Sequence, residues 1–136
     1  MQKAEKYEIP KNKIIIQSAE RDELPSILSL SDVGIFFIKP VFSKKASSPT
    51  KMGELMAMGI PIICNSNVGD VEKIIEKTKA GIIVKSFNKT NYNSVIAQLD
   101  NLLNINSETI RNEAMKYFSL KTGVQLYNAV YQKLNK

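Results

Sequence analysis

The sequence predicts an α/β protein with a Rossmann-like parallel sheet, arranged in three layers with helices on both faces. The first observation is a set of short apolar runs rich in β-branched residues: K-I-I-I-Q-S, V-G-I-F-F-I, P-I-I-C and I-I-V. Continuous runs of this kind are typical of strands buried on both faces. The second observation is that helical patterns separate these runs. Strands that alternate with helices favour right-handed, doubly wound βαβ units.

The predicted elements follow one another along the chain. Residues 1–12 are polar and charged, and we interpret them as a linker or as the remnant of a preceding element, while residues 13–136 form the predicted domain. Strands are predicted at 13–18, 33–38, 61–64 and 82–84. Helices are predicted at 22–30, at 49–58, between Asp70 and Gly81, at 90–103 and at 107–118. A last helix carries an apolar stripe that we interpret as packing: Val124, Tyr127, Val130, Tyr131 and Leu134.

The composition excludes several classes of site. The chain has no histidine, which excludes histidine-based acid–base catalysis, serine–histidine triads and histidine metal sites. Its single cysteine, Cys64, lies within an apolar strand and predicts a buried, reduced thiol. No apolar run reaches the ~20 residues that a membrane helix needs, and no signal-peptide core is present. We therefore expect a cytoplasmic protein with at most peripheral contact at the inner face of a membrane.

The best-bounded element is the helix at residues 49–58. Ser48 is a favourable N-cap and Pro49 suits the first helical position, while Gly59 and Pro61 end the helix. Apolar residues recur at helical spacing and predict the face that packs against the sheet: Met52, Leu55 and Met56.

A neighbouring face of this helix predicts an anion site. Lys51 puts positive charge in the first turn, where an acidic residue is normally favoured. A bound phosphate offsets that cost, because the free N–H groups, the hydroxyls of Ser47, Ser48 and Thr50 and the Lys51 ammonium would all contact it. One turn on, the Glu54 carboxylate can accept hydrogen bonds from a ribose diol. Together these groups describe a nucleoside diphosphate; the alternative is a solvated helix with a weak Lys51–Glu54 pair and a serine that only caps.

The charge distribution supports a phosphate-bearing ligand. The formal net charge is +6, and no acidic residue lies between Asp32 and Glu54, where Lys39, Lys44 and Lys45 lie. This loop leaves the carboxyl end of a strand, the place where open α/β sheets bind ligands. A solvated basic loop is the alternative. No aromatic interleaving suggests nucleic acid.

A second loop, N-S-N-V-G-D, follows the strand at 61–64. Its backbone amides around Val68 and Gly69 are candidates for lining the same pocket, or they make only a tight turn.

Four segments resemble the donor half of the group 1 retaining glycosyltransferases, which have GT-B architecture. They are P-T-K-M-G-E-L-M-A-M-G-I-P-I-I, N-V-G-D, A-G-I-I-V and D-E-L-P-S-I-L-S-L-S-D-V-G-I. The resemblance implies that Lys51 contacts the donor diphosphate and that Glu54 holds the ribose hydroxyls. Ala46 stands where many members have a glutamate near the donor sugar, eight positions before the ribose glutamate. The resemblance also implies a fragment that begins partway through its domain and lacks an N-terminal acceptor domain.

The function expected from these observations is donor binding within a hexosyltransferase-type enzyme. Such an enzyme transfers a sugar from a nucleoside-diphosphate sugar to a glycan or lipid-linked acceptor, as in polysaccharide biosynthesis. We expect no metal or other cofactor, no nucleic-acid partner and little activity from this part alone, and the catalytic residues are not identified. Self-association of the fragment is expected from uncovered apolar surface. The alternative function is a non-catalytic phospholigand-binding or interaction module.

Overall fold

A computed structural model describes residues 2–134, with side chains from residue 3 onward. Its centre is a sheet of three parallel strands: β1 (Gly34–Phe36), β2 (Ile62–Asn65) and β3 (Gly81–Val84). The strands lie in the order β1-β2-β3, with Gly34 opposite Ile62 and Ile62 opposite Gly81. This confirms the predicted α/β class with a parallel sheet, consistent with a Rossmann-like domain.

Eight α-helices lie within the described residues. They are α1 (Gln2–Lys6), α2 (Leu24–Leu28), α3 (Thr50–Ala57), α4 (Val71–Thr78), α5 (Lys89–Ile96), α6 (Leu99–Leu103), α7 (Ser107–Phe118) and α8 (Leu120–Leu134). Short 3-10 turns occupy Lys11–Lys13 and Phe42–Lys44. The helix predicted at 107–118 matches α7, and the one predicted at 49–58 matches α3 to within one residue at each end. Within the described residues, no helix is both long and apolar enough to cross a membrane.

The predicted core face of α3 is confirmed, and α4 also buries one face. On α3 the side chains of Met52 and Met56 are completely buried. On α4 the residues Val71, Ile74, Ile75 and Thr78 are all buried. Both helices pack into one hydrophobic cluster with Ile62 and Cys64 of β2. Ile63, on the alternate side of the same strand, belongs to a second cluster with Val84, Val95 and Leu102.

The end of α3 follows the glycine signal in the sequence. Gly59 adopts a φ of +75°, and its N–H donates to the carbonyl of Met56. Ile60 then donates to the carbonyl of Leu55. These bonds satisfy carbonyl groups that the end of the helix leaves free, and they turn the chain into β2.

The strand predicted at residues 13–18 is wrong. The chain there forms a 3-10 turn at Lys11–Lys13 and then irregular structure, and the side chains of Ile15 and Ile16 are 85% and 78% exposed. A β-branched run becomes a strand only where a neighbouring strand accepts its hydrogen bonds. Within the described residues, none of the three strands pairs with this segment. The described strands lie in the order β1-β2-β3, and double winding with helices on both faces stays a prediction.

Two other predicted elements are shorter than expected, and a third is divided. The strand at 33–38 contracts to β1, which lies at the sheet edge with Ile35 59% exposed. The helix at 22–30 contracts to α2, and Leu30, beyond its end, is exposed. The helix at 90–103 divides into α5 and α6, because Gln98 leaves helical geometry with φ −102° and ψ 0°.

The packing role predicted for the stripe on α8 is also wrong for the described residues. All five of its side chains are exposed: Val124, Tyr127, Val130, Tyr131 and Leu134. α8 contributes no buried residue to the core. Ser119, between α7 and α8, has extended dihedrals (φ −64°, ψ 126°), so the two helices do not form one continuous rod. Self-association through such apolar surface stays a prediction.

Candidate functional site

The first turn of α3 leaves its backbone donors available. Pro49 is the N-cap, with extended dihedrals (φ −70°, ψ 119°), and no side chain caps the helix. The prediction of Ser48 as the N-cap is therefore wrong, because the helix begins one residue later than a Ser48 cap would place it. Met52 donates to the Pro49 carbonyl at 3.0 Å, while the N–H groups of Thr50 and Lys51 meet no acceptor within the described residues. These two amides lie beside the exposed hydroxyls of Ser48 and Thr50.

Lys51 lies at the carboxyl end of the sheet. Its side chain is exposed, and its Nζ is 5.7 Å from the centroid of the Phe36 ring, a cation–π distance. Phe36 is the last residue of β1. The ammonium group is thus held where a ligand of an open α/β sheet would bind.

Glu54 lies one turn further along α3 and is exposed. It borders a groove of about 390 Å³ between α3 and α7, together with Thr50, Met115 and Phe118. Among the described residues its carboxylate forms no ion pair, so the Lys51–Glu54 pair of the alternative interpretation is not formed. The carboxylate of Glu54 is free to accept hydrogen bonds from a ligand.

A second cavity, of about 380 Å³, lies between the two loops that follow β1 and β2. It brings together the predicted residues Lys45, Ser48 and Gly69, and it also contains Asp70 and Lys73. Asp70 is the N-cap position of α4, as predicted, although its side chain caps no N–H group. The start of α4 therefore borders this cavity, with the loop that leads into α3 on its other side, and the dipole of α4 favours an anion there.

Lys73 was missed by the sequence reasoning. It lies in the first turn of α4 and borders the cavity between the loops. The signal that identified Lys51, a lysine in the first turn of a helix that follows a strand and a loop, applies equally to Lys73.

The remaining predicted residues are not gathered in this cavity. The side chains of Lys39 and Lys44 are exposed and do not border it, and the Val68 side chain is buried in the core. The Gly69 N–H donates to the Lys44 carbonyl at 3.0 Å. Gly69 has a φ of +45°, and a Cβ there would overlap the Ser47 carbonyl oxygen. Gly69 thus lets the two loops touch.

Asn65 was also missed, because the sequence analysis considered only the backbone amides and the turn of its segment. Its side chain is 3% exposed and bridges to the backbone of Ile38, where the chain leaves β1. The available signal was a polar residue placed directly after a run of buried strand residues.

Cys64 is buried, as predicted, and its thiol is unreactive. Burial, with a smaller contribution from the Glu72 carboxylate, raises the pKa of its thiol to about 12. A thiol of that pKa stays protonated near neutral pH and is a poor nucleophile. Among the described residues, no cluster of three or more His, Cys, Asp or Glu is placed to hold a metal ion.

The fold and site define an α/β protein with cationic and hydroxyl groups at the carboxyl ends of its parallel strands. The family model described as glycosyl transferases group 1 matches residues 1–117, most of the chain. The chain belongs to the group 1 glycosyltransferase family, which supports a function in glycosyl transfer. Comparison with curated proteins and with solved structures gives no significant match.

Proposed function

We propose that this chain is the donor-binding part of a retaining glycosyltransferase of GT-B architecture. It binds a nucleoside-diphosphate sugar, and the enzyme transfers the sugar to a glycan or lipid-linked acceptor held by an N-terminal domain. The observation that carries the proposal is the first turn of α3, where the N–H groups of Thr50 and Lys51 meet no acceptor within the described residues and the Lys51 ammonium lies over the Phe36 ring at the carboxyl end of β1. Family membership supplies the reaction class.

The diphosphate is the part of the donor that this site fits best. A helix N-terminus presents N–H groups and a positive dipole end to an anion, and Lys51 adds a full charge. When the bond between the sugar and the diphosphate of the donor breaks, negative charge grows on the departing diphosphate. Fixed donors at that position stabilise the charge without a proton transfer from histidine, a residue that the chain lacks.

The ribose of the donor is assigned to Glu54. Its carboxylate is exposed, free of ion pairs among the described residues, and one helical turn from Lys51. A carboxylate accepts two hydrogen bonds from a vicinal diol and so distinguishes ribose from deoxyribose. Ala46 has no polar atom beyond its backbone, so the side chain at this position makes no hydrogen bond to the donor sugar.

The alternative function is a non-catalytic module that binds a phosphorylated ligand. The cavity between the two loops favours it, because Lys45, Lys73 and the start of α4 border a space suited to a simple anion. Such a site would take phosphate alone, with no need of a nucleoside.

Calorimetric titration with UDP, GDP, ADP and inorganic phosphate tests the proposal, at low and moderate salt. We expect one nucleoside diphosphate to bind selectively, and Lys51→Ala to weaken it about tenfold, as expected for loss of one charged hydrogen bond. The matched control is Lys77→Ala, which removes an exposed lysine of α4 outside the site. Equal binding of all four anions, abolished by salt, would support the phospholigand module instead.

The role of Glu54 has its own test. We expect the wild type to bind the ribonucleotide better than its 2′-deoxy counterpart. Glu54→Ala should bind the two alike, because it lacks the carboxylate that accepts a hydrogen bond from the 2′-hydroxyl. Glu76→Ala, at an exposed position of α4, is the control and should keep the preference. A preference that survives in Glu54→Ala would remove Glu54 from the ribose site.

A further inference from the structure

Asn65 ends β2, and all of its side-chain polar groups are used. Its Oδ1 accepts from the Ile38 N–H at 2.8 Å, and its Nδ2 donates to the Ile38 carbonyl at 2.9 Å. Nδ2 also donates to the Ser66 carbonyl at 2.9 Å. Because Ile38 offers one donor and one acceptor, the orientation of the amide is fixed by its partners. A single side chain therefore completes both backbone groups of a residue 27 positions away.

The position of this contact explains why a side chain, and not the backbone, pairs with Ile38. Backbone pairing between β1 and β2 ends at Phe36 and Cys64. Beyond that point Ser66 donates to the Val84 carbonyl, so the chain after β2 stays beside β3 while the chain after β1 moves away. The Asn65 side-chain amide lies between the two diverging chains and makes the two hydrogen bonds that a paired strand would otherwise make with Ile38. The two strands can separate without leaving the buried backbone groups of Ile38 unpaired.

Ile38 is where the basic loop begins. The ring that lies under Lys51 belongs to Phe36, two residues earlier, and the loop of residues 39–49 leads directly into α3. The middle of this loop is tied to the segment after β2 by the bond from the Gly69 N–H to the Lys44 carbonyl. The loop is thus held at two points, by the Asn65 side chain at its start and by a backbone amide of the segment after β2 at its middle.

We propose that Asn65 is a positioning residue for the nucleoside-diphosphate site. It fixes the start of the loop 39–49, and with it the place of the Phe36 ring and of the first turn of α3, without touching the ligand. This inference rests on the proposed donor-binding function. It separates a residue that holds the loop in place from the groups that contact phosphate.

The variant that tests the inference is Asn65→Asp. Its carboxylate can still accept the hydrogen bond from the Ile38 N–H. It has no N–H to donate, so its second oxygen is repelled by the carbonyl oxygens of Ile38 and Ser66. Burial and those oxygens raise the pKa of the introduced carboxyl, and protonation restores one donor. The defect is therefore expected at about pH 8 and relieved at about pH 5.5. A site that needed Asn65 only for its volume would show no such recovery.

Two readouts are compared at both pH values. Hydrogen exchange of the ligand-free chain reports whether amides of residues 38–48 open faster while those of β2 and β3 do not. Calorimetry uses the nucleoside diphosphate that the wild type prefers and compares the affinities of variant and wild type at each pH. Because protonation of the ligand affects both proteins equally, it cancels in their ratio. We expect local opening and about tenfold weaker binding at the higher pH, equivalent to one lost buried hydrogen bond, and recovery of both at the lower pH.

Asn67→Asp is the matched control, since it adds the same charge two residues along. Asn67 is exposed, and its side chain bonds only to Ser66 among the described residues. It should change neither readout. If Asn65→Asp unfolds at the higher pH, Asn65→Ser, which adds no charge, gives the exchange measurement there. Unchanged exchange at residues 38–48 in the folded variants overturns the inference. Absence of nucleotide binding by the wild type overturns the proposed function, and exchange alone then decides the anchoring role.

Discussion

The helices α3 and α8 are both amphipathic, yet they behave in opposite ways. α3 has eight residues and buries Met52 and Met56 completely, whereas α8 has fifteen residues and buries none. The difference lies in what surrounds them. α3 is enclosed by the sheet and by α7, while α8 follows α7 out of the core. Apolar periodicity identifies the face of a helix that can be buried, and the neighbouring elements decide whether it is.

The largest expected effect comes from shortening a side chain inside the enclosed helix. Met52→Ala should lower the free energy of unfolding by about 2–5 kcal/mol, since it removes a completely buried side chain and leaves a cavity. Met115→Ala, the same change at a side chain that is 64% exposed, should cost less than about 0.5 kcal/mol. Urea denaturation followed by circular dichroism measures both. Equal losses at the two positions would show that the core of the protein lies elsewhere.

A smaller effect is expected where the two loops meet. Gly69→Ala should destabilise the fold by about 1–3 kcal/mol, because Gly69 has a positive φ and a methyl group there overlaps the Ser47 carbonyl. Thermal unfolding gives the stability change. The loops must also separate, so exchange at residues 44–48 should rise. A stable variant with unchanged exchange would show that the loops do not depend on this contact.

The smallest effect should have the opposite sign. Gly123 lies inside α8, and a Cβ there meets nothing within 4 Å. Gly123→Ala should therefore raise helix stability by about 0.5–1 kcal/mol through helix propensity alone. Helical content by circular dichroism, together with the unfolding midpoint, measures the gain. A loss of stability instead would mean that α8 packs closely against a surface at this position.

The sequence was most informative where a signal is local. Gly59, Pro61 and the methionine spacing define α3, because caps, turns and periodicity act within a few residues. The same kind of local signal identifies Ser48, Thr50 and Lys51 as candidate phosphate groups, and that role stays a prediction: Ser48 borders the cavity between the loops, while Thr50 borders the groove beside α7.

Several of the failures depend on distant partners. Ile15 and Ile16 have the composition of a buried strand, yet composition does not supply the neighbouring strand that they need. Asn65 gained its importance from Ile38, a contact across 27 positions that no local pattern encodes. The stripe on α8 has correct helical periodicity but lacks a surface to cover it within the described residues.

The position of β1 at the sheet edge gives the two sides of that strand different dynamic properties. In a parallel strand, alternate residues direct their N–H and C=O groups to opposite sides. Gly34 donates to the Pro61 carbonyl, whereas Ile35 faces the open edge. Solvent protons therefore reach every second amide of β1 directly, and the intervening amides exchange only when the sheet itself opens. Hydrogen exchange at these three consecutive residues therefore reports two different events, the access of solvent to the sheet edge and the opening of the sheet.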